Sequence, residues 1–380
     1  MKRKATGITA ILMAVLMAIT LFAGCSSEEV QSSGLSGNND TTVSQDTTGT
    51  VTDDGDTSAS VATTGVYDYS KRDLSGEYDT SDAVTVTLSG TSATASGAGV
   101  TVNGSTITIT KAGVYIFSGT LDNGQIIVSA TSEDKVQIVL DGVDITCSYN
   151  AAIYVKQADK VFITTAAGTT NYLTDGSSYT GSGDEDIDAV IYSKDDLTLN
   201  GSGTLVITGN YDKGIHGKDD VVIAGGTVKI TSKGDGVKGK DCVAVTAASL
   251  SITAGGDGIQ SNNATDQTVG IVYINGGTID ITADADGIQA ESILYITDGD
   301  ITIKTGGGAS NASYGGNNTG WGSWYSSSSA NTSASAKALK SETHTYILGG
   351  TIDINSSDDA IHSNGSVTIT DGDITISSGD

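Results

Sequence analysis

One short pattern returns along the second half of this chain at a nearly fixed interval. It reads Lys213-Gly214-Ile215-His216, Asp235-Gly236-Val237-Lys238, Asp257-Gly258-Ile259-Gln260, Asp286-Gly287-Ile288-Gln289 and Asp359-Ala360-Ile361-His362. Ala189-Val190-Ile191-Tyr192 and Lys337-Ala338-Leu339-Lys340 are degenerate members. The apolar anchors fall at 191, 215, 237, 259, 288, 339 and 361, so the intervals are 24, 22, 22, 29, 51 and 22. That is a period of 22 residues with two insertions. A unit this short cannot enclose a core alone and must stack on its neighbours.

Inside each unit apolar residues alternate: Leu197 and Leu199, then Leu205 and Ile207; Val221 and Ile223, then Val228 and Ile230; Ile274, then Ile279 and Ile281. Period two means strands with one buried face. Gly-Gly, Asp-Gly and Asn-Gly-Ser-Gly separate them as turns. The composition agrees, with 50 Gly, no Pro and only 5% aromatic residues. The expectation is an all-β, right-handed parallel β-helix of three-strand coils of about 22 residues, each rising about 4.8 Å. Residues 65–185 are expected to hold a cap (Tyr67 to Tyr78) and irregular coils, and 186–380 the regular coils, interrupted by an inserted loop at 306–336. The chain stops at Gly379-Asp380, where another unit is due. An uncapped end exposes strand edges, so the C-terminus is expected to be truncated or to meet a partner.

The N-terminus points outside the cell. Lys2, Arg3 and Lys4 precede an apolar stretch from Ile8 to Phe22, too short to span a bilayer and suited to a signal peptide. Leu21-Phe22-Ala23-Gly24-Cys25 resembles a bacterial lipobox, which makes residues 1–25 a lipoprotein signal and Cys25 the lipidated residue. Residues 26–64 carry seven acids, no Lys or Arg and no aromatics, and read as a disordered acidic tether. The expected localisation is extracellular, anchored to the membrane through Cys25. The net charge of −26 excludes nucleic acid as a partner and favours cations. Cys147 and Cys242 leave a disulfide or two free thiols open.

Stacked units place equivalent residues in columns. Asp235, Asp257, Asp286 and Asp359 share one; Asp188, Asp212 and Asp358 precede it. Carboxylates about 4.8 Å apart repel by roughly 3–4 kcal/mol at an effective dielectric of 20. Calcium takes oxygens at about 2.3–2.6 Å and relieves that repulsion by bridging two rungs. A solvated Asp at each tight turn is the plainer alternative for any one of them. Lys194, Lys218 and Lys240 beside Asp195, Asp219 and Asp241 read as surface ion pairs. Tyr192, His216, Lys238, Gln260, Gln289, Lys340 and His362 form one outward polar stripe, suited to tracking an extended polysaccharide. Trp321, Trp324 and Tyr325, with Tyr314, sit in the Gly/Ser/Asn-rich insertion, as either a sugar-stacking platform or low-complexity ballast.

Ser193-Lys194-Asp195-Asp196-Leu197, Gly217-Lys218-Asp219-Asp220-Val221, Gly234 to Asp241, Gly256 to Ser261 and Asp358 to Gly365 resemble a family of bacterial β-helix proteins that bind cellulose and acidic sugars with calcium. The resemblance covers roughly 65–380. It implies a polysaccharide partner and calcium as cofactor. That family is similar in fold to family nine polysaccharide lyases, which use an Asp-held calcium and a Lys base. Gly234-Asp235-Gly236-Val237-Lys238 resembles their Lys-bearing turn and would make Lys238 the base. Asp212-Lys213-Gly214-Ile215-His216 departs from their second element at two positions.

Three functions follow: a cell-surface lipoprotein that holds cellulose-like or uronic-acid polymer with calcium; a calcium-dependent lyase acting by β-elimination on uronates; or a structural spacer. His216, His344 and His362 are dispersed, and no HExxH or Ser-His-Asp set is present, which excludes a zinc hydrolase or a serine hydrolase.

Overall fold

The computed structural model describes residues 66–180, 186–266, 268–312 and 335–379. The chain divides into two units at Ser70. In the described part of the first, the rings of Tyr67 and Tyr69 meet edge-on at 5.1 Å. The second, from Lys71, is almost wholly β, with a four-residue α-helix, Lys71–Leu74, and a three-residue 3-10 turn, Ala309–Asn311, among its described residues.

The alternation produces the strands it forecasts. Thr227–Ser232, Ser249–Ala254 and Thr351–Ser356 each bury every second residue. The strands assemble into sheets of 18 and 11 strands. In the smaller, Ala189–Ser193, Lys213–Gly217, Val237–Gly239, Ile259–Ser261, Ile288–Ala290, Leu339–Ser341 and Ile361–Ser363 pair in parallel, one per repeat unit. Their anchors stand in register: Ile215 opposite Val237, then Ile259, Ile288, Leu339 and Ile361. Ile215 to Leu339 are fully buried in one continuous apolar core.

The larger sheet corrects the expected right-handed parallel β-helix. Its hydrogen bonding closes into a ten-strand parallel β-barrel rather than an open solenoid of three separate ladders. The ring runs through Lys135–Cys147, Lys160–Thr165, Asp196–Gly201, Val221–Ile223, Cys242–Val245, Ile271–Ala283, Ser249–Ala254, Thr227–Ser232, Thr204–Gly209 and Thr170–Asp175, and back to the first. The physical reason lies in Lys135–Cys147 and Ile271–Ala283. Each runs 13 residues unbroken and pairs with two other strands of the ring, one along each half of its length. Gly276 and Gly277, read from sequence as a turn, adopt positive φ of 155° and 92° inside the second of these strands. Glycine tolerates such angles, so the strand bends without ending.

Residues 71–77 lie along the outside of the barrel. Asn200 Nδ2 donates to the carbonyls of Arg72, Asp73 and Ser75. The buried Asp73 takes Lys160 Nζ at 2.7 Å and the Thr198 hydroxyl. Antiparallel pairs, Val84–Gly90 with Ser92–Ala95 and Val100–Asn103 with Thr106–Ile109, precede the parallel strands. Cys147 and Cys242 are buried free thiols.

Candidate functional site

The outward stripe is a single in-register row on the smaller sheet. Tyr154 lies opposite Tyr192, then His216, Lys238, Gln260, Gln289, Lys340 and His362. It is not uniform. Tyr154, Tyr192 and His216 are buried, and their rings follow one another at 5.9 and 5.3 Å. Lys238, Gln260, Gln289, Lys340 and His362 are half-buried. Trp321, Trp324 and Tyr325, and the lipidation candidate Cys25, lie outside the described residues.

The Asp column is occupied by protein. Asp235 Oδ1 accepts the Asp257 N–H at 3.0 Å, Asp257 Oδ1 accepts the Asp286 N–H at 2.9 Å, and Asp286 Oδ1 accepts the Lys337 N–H at 2.8 Å. Each carboxylate therefore ties its own turn to the next. The second oxygens face the row. Lys238 Nζ is 3.7 Å from Asp235, Gln260 Nε2 is 2.6 Å from Asp257, and Lys340 Nζ reaches Asp286 at 3.0 Å. A carboxylate only accepts, so Gln260 must present its amide nitrogen to Asp257. Its oxygen is left buried without a partner.

Elsewhere a lysine ammonium fills the place foreseen for a cation. Lys213 Nζ bridges Asp188 at 2.9 Å and Asp212 at 2.6 Å; Lys337 Nζ bridges Asp358 at 2.7 Å and Asp359 at 2.9 Å. His216 Nδ1 donates to Asp188, and His362 Nδ1 lies 3.0 Å from Asp359. These seven acids hold lysines, amides and imidazoles, so the column does not fit calcium.

The charges follow the partners. Burial pushes Asp257 up, and the Asp235 and Asp286 carboxylates on either side add to it, to about 6. Among the described residues it has no lysine of its own; the residue three positions on is Gln260. Burial also opposes charge on Asp188, but His216 and Lys213 outweigh it and hold the group down at about 2. Burial pushes His216 itself down, so its imidazole is neutral at neutral pH. The Lys213 ammonium is then the lasting charge beside Asp188.

Three other carboxylates do come together. Asp196, Asp219 and Asp220 each place an oxygen within 4.8 Å of the others at half-buried positions. An all-carboxylate set at that separation fits a hard divalent cation. Asp196 begins the strand Asp196–Gly201, and Asp219 and Asp220 precede Val221–Ile223, its parallel partner. The sequence carried the signal, since both segments read Lys-Asp-Asp before an apolar residue. Asp195 and Asp241 serve the backbone and a loop instead, accepting from Ala158 N–H at 3.0 Å and Asn263 Nδ2 at 2.6 Å.

Half-buried polar side chains thus stand in one row along the smaller parallel sheet, one per repeat unit. The chain belongs to the family of carbohydrate-binding domain-containing proteins, whose model matches residues 103–380. A carbohydrate-binding domain-containing protein of Acetivibrio thermocellus is 42% identical over 118 residues, which is 30% of this chain and 41% of that protein. The match thus spans well under half of that relative. The chain is also similar to a polysaccharide lyase-like protein from C. thermocellum, solved as a gadolinium derivative, with a TM-score of 0.60 and 29% identity. That likeness covers 76% of this chain and 99% of the other.

Proposed function

We propose that this chain is a cell-surface lipoprotein, anchored through Cys25, that holds a polysaccharide along the row from His216 to His362. One observation carries the reading: five half-buried polar side chains, Lys238, Gln260, Gln289, Lys340 and His362, stand in unbroken register, one per repeat unit. Their repeat of about 4.8 Å offers a regular polymer the same contact many times. Family membership supports the same ligand class.

Calcium, in this reading, is held by Asp196, Asp219 and Asp220, where it lowers their mutual repulsion. It is not held by the Asp column. Lys238 is a binding residue here, held against Asp235 as part of the row. Binding of cellohexaose and of hexagalacturonate, by calorimetry, tests the reading. The double variant Gln260→Ala/Gln289→Ala is expected to weaken whichever ligand binds by about tenfold or more, at roughly 0.5–1.5 kcal/mol per hydrogen bond. Unchanged affinity in that variant removes the row from the site. Release of unsaturated uronates absorbing in the near ultraviolet would make the protein a lyase instead.

A further inference from the structure

We propose that Tyr211 forms a sugar-ring subsite at the first end of the polar row; this rests on the carbohydrate-binding reading above. The row begins with the buried Tyr154 and Tyr192. Tyr179 packs against the cluster they form with Ala151, Ile187 and Ala189. On Tyr179 lies Tyr211, with ring centroids 4.3 Å apart and planes 21° from parallel. One face of Tyr211 is thereby taken. Yet the residue is 41% exposed, so its other face and edge meet solvent.

The stack is held with unusual care. The Tyr179 hydroxyl lies 2.8 Å from Asp175 Oδ2 and 2.9 Å from the Ala189 carbonyl. Asp175 is only 2% exposed. Its other oxygen accepts the backbone N–H of Asn210, and Asn210 Nδ2 donates to the Asp175 carbonyl at 2.9 Å. Burying a carboxylate opposes folding unless its bonds are satisfied. These bonds of Asp175 all fix either Tyr179 or the residue just before Tyr211. A tyrosine exposed merely for want of cover needs no such support.

The surroundings supply the polar half of a sugar site. The chain passes from Tyr211 into Asp212 and Lys213. Lys213 Nζ joins Asp212 to Asp188, and Asp188 receives His216 of the row. An open ring face takes the C–H face of a pyranose, while the partly exposed Asp212, held in place by the buried Lys213, offers carboxylate oxygens to its hydroxyls. A ring immobilised in advance loses little entropy on binding. Nucleobases also stack on such rings, but a chain of net charge −26 repels their phosphates.

Calorimetry with cellohexaose and hexagalacturonate, on the full chain and its variants, tests this. Tyr211→Ala is expected to weaken binding by roughly tenfold and Tyr211→Phe by less than about twofold, because the ring face and not the hydroxyl is used. Both should melt within a few degrees of the parent, since the side chain is half exposed. If Tyr211→Ala melts much lower, Tyr211→Leu takes its place, keeping bulk while removing the flat face, with the same tenfold loss expected. Full affinity without the ring, while Gln260→Ala/Gln289→Ala loses it, overturns the subsite and leaves the row standing. Equal losses in Tyr211→Ala and Tyr211→Phe overturn the stacking. If the unmodified chain binds neither oligosaccharide, the carbohydrate reading fails and the subsite with it.

Discussion

Asp257 shows how one residue in the row sets the charge of its neighbour. Asp235 and Asp286 have lysines at hand, and Asp257 has Gln260. Its carboxyl therefore sits near 6 in the fold, against 3.8 for the ordinary group. A raised acid binds its proton more tightly folded than unfolded. Its contribution favours the fold below about pH 4 and is lost as pH rises through 6. At neutral pH it opposes folding by on the order of 2–3 kcal/mol. Asn at this position keeps an oxygen for the Asp286 N–H and offers Nδ2 to the orphaned Gln260 oxygen. Asp257→Asn is expected to be more stable than the parent by about 1–2 kcal/mol at pH 7.5 and equal to it near pH 4. Urea titrations at both pH values check this; a difference independent of pH would contradict the assigned titration. Asp188 runs the opposite way. Held near 2, it stabilises the fold above about pH 4, and that contribution fades as pH falls through 2.

At the scale of the repeat unit, the glycine of Asp-Gly-Ile has a steric origin. A Cβ on Gly258 would lie 2.5 Å from Ile281 Cγ2 and 2.6 Å from the Gly287 carbonyl oxygen; Gly214, Gly236 and Gly287 meet the same two kinds of atom. Adjacent units approach too closely there for a side chain. Val190, Ala338 and Ala360 take the corresponding place in other units, so the demand is set by each unit's neighbour and not by the turn. Gly142 is different, with φ of 76° and nothing within 4 Å of the place a Cβ would take. Gly258→Ala is expected to destabilise by more than about 2 kcal/mol, and Gly142→Ala by about 1–2 kcal/mol from backbone strain alone. Thermal melts rank the two; the reverse order would mean that the units separate more easily than their spacing suggests. Sequence periodicity exposed the register of Ile215, Val237 and Ile259 because the anchor, the close-packed glycine and the row residue recur together. It could not tell that Gly276-Gly277 bends a strand without ending it, since a glycine pair serves either purpose. That ambiguity concealed the closed ring. The Asp column was visible as a column, but part of what occupies it comes from the next unit: the backbone N–H groups of Asp257, Asp286 and Lys337, and the Lys340 ammonium on Asp286, leave no local mark. Tyr179 and Tyr211 were hidden likewise, lying 32 residues apart with the buried Asp175 as their link.

At the largest scale, within the second unit, the barrel and the smaller sheet share one apolar core, and row residues from distant repeat units stand in register on it. A row already in place matters because a long polymer loses much freedom on binding, and a preformed surface adds no further cost of its own. The calcium proposal belongs at this scale too, since Asp196 and the Asp219-Asp220 pair come from neighbouring units. A cation bound there joins them and raises stability by mass action. Calcium is expected to raise the melting temperature of the parent and to leave Asp219→Asn/Asp220→Asn nearly unchanged, while Asp235→Asn still responds. Equal response in all three would place any calcium elsewhere. The central claim is that one polymer lies along the row. From His216 to His362 there are five steps of about 4.8 Å, roughly 24 Å in all. Affinity measured by calorimetry for oligosaccharides of two to eight units should rise with length and level off near five or six units. Affinity that is already complete at two units would show a single local pocket and contradict a ligand tracked along the row.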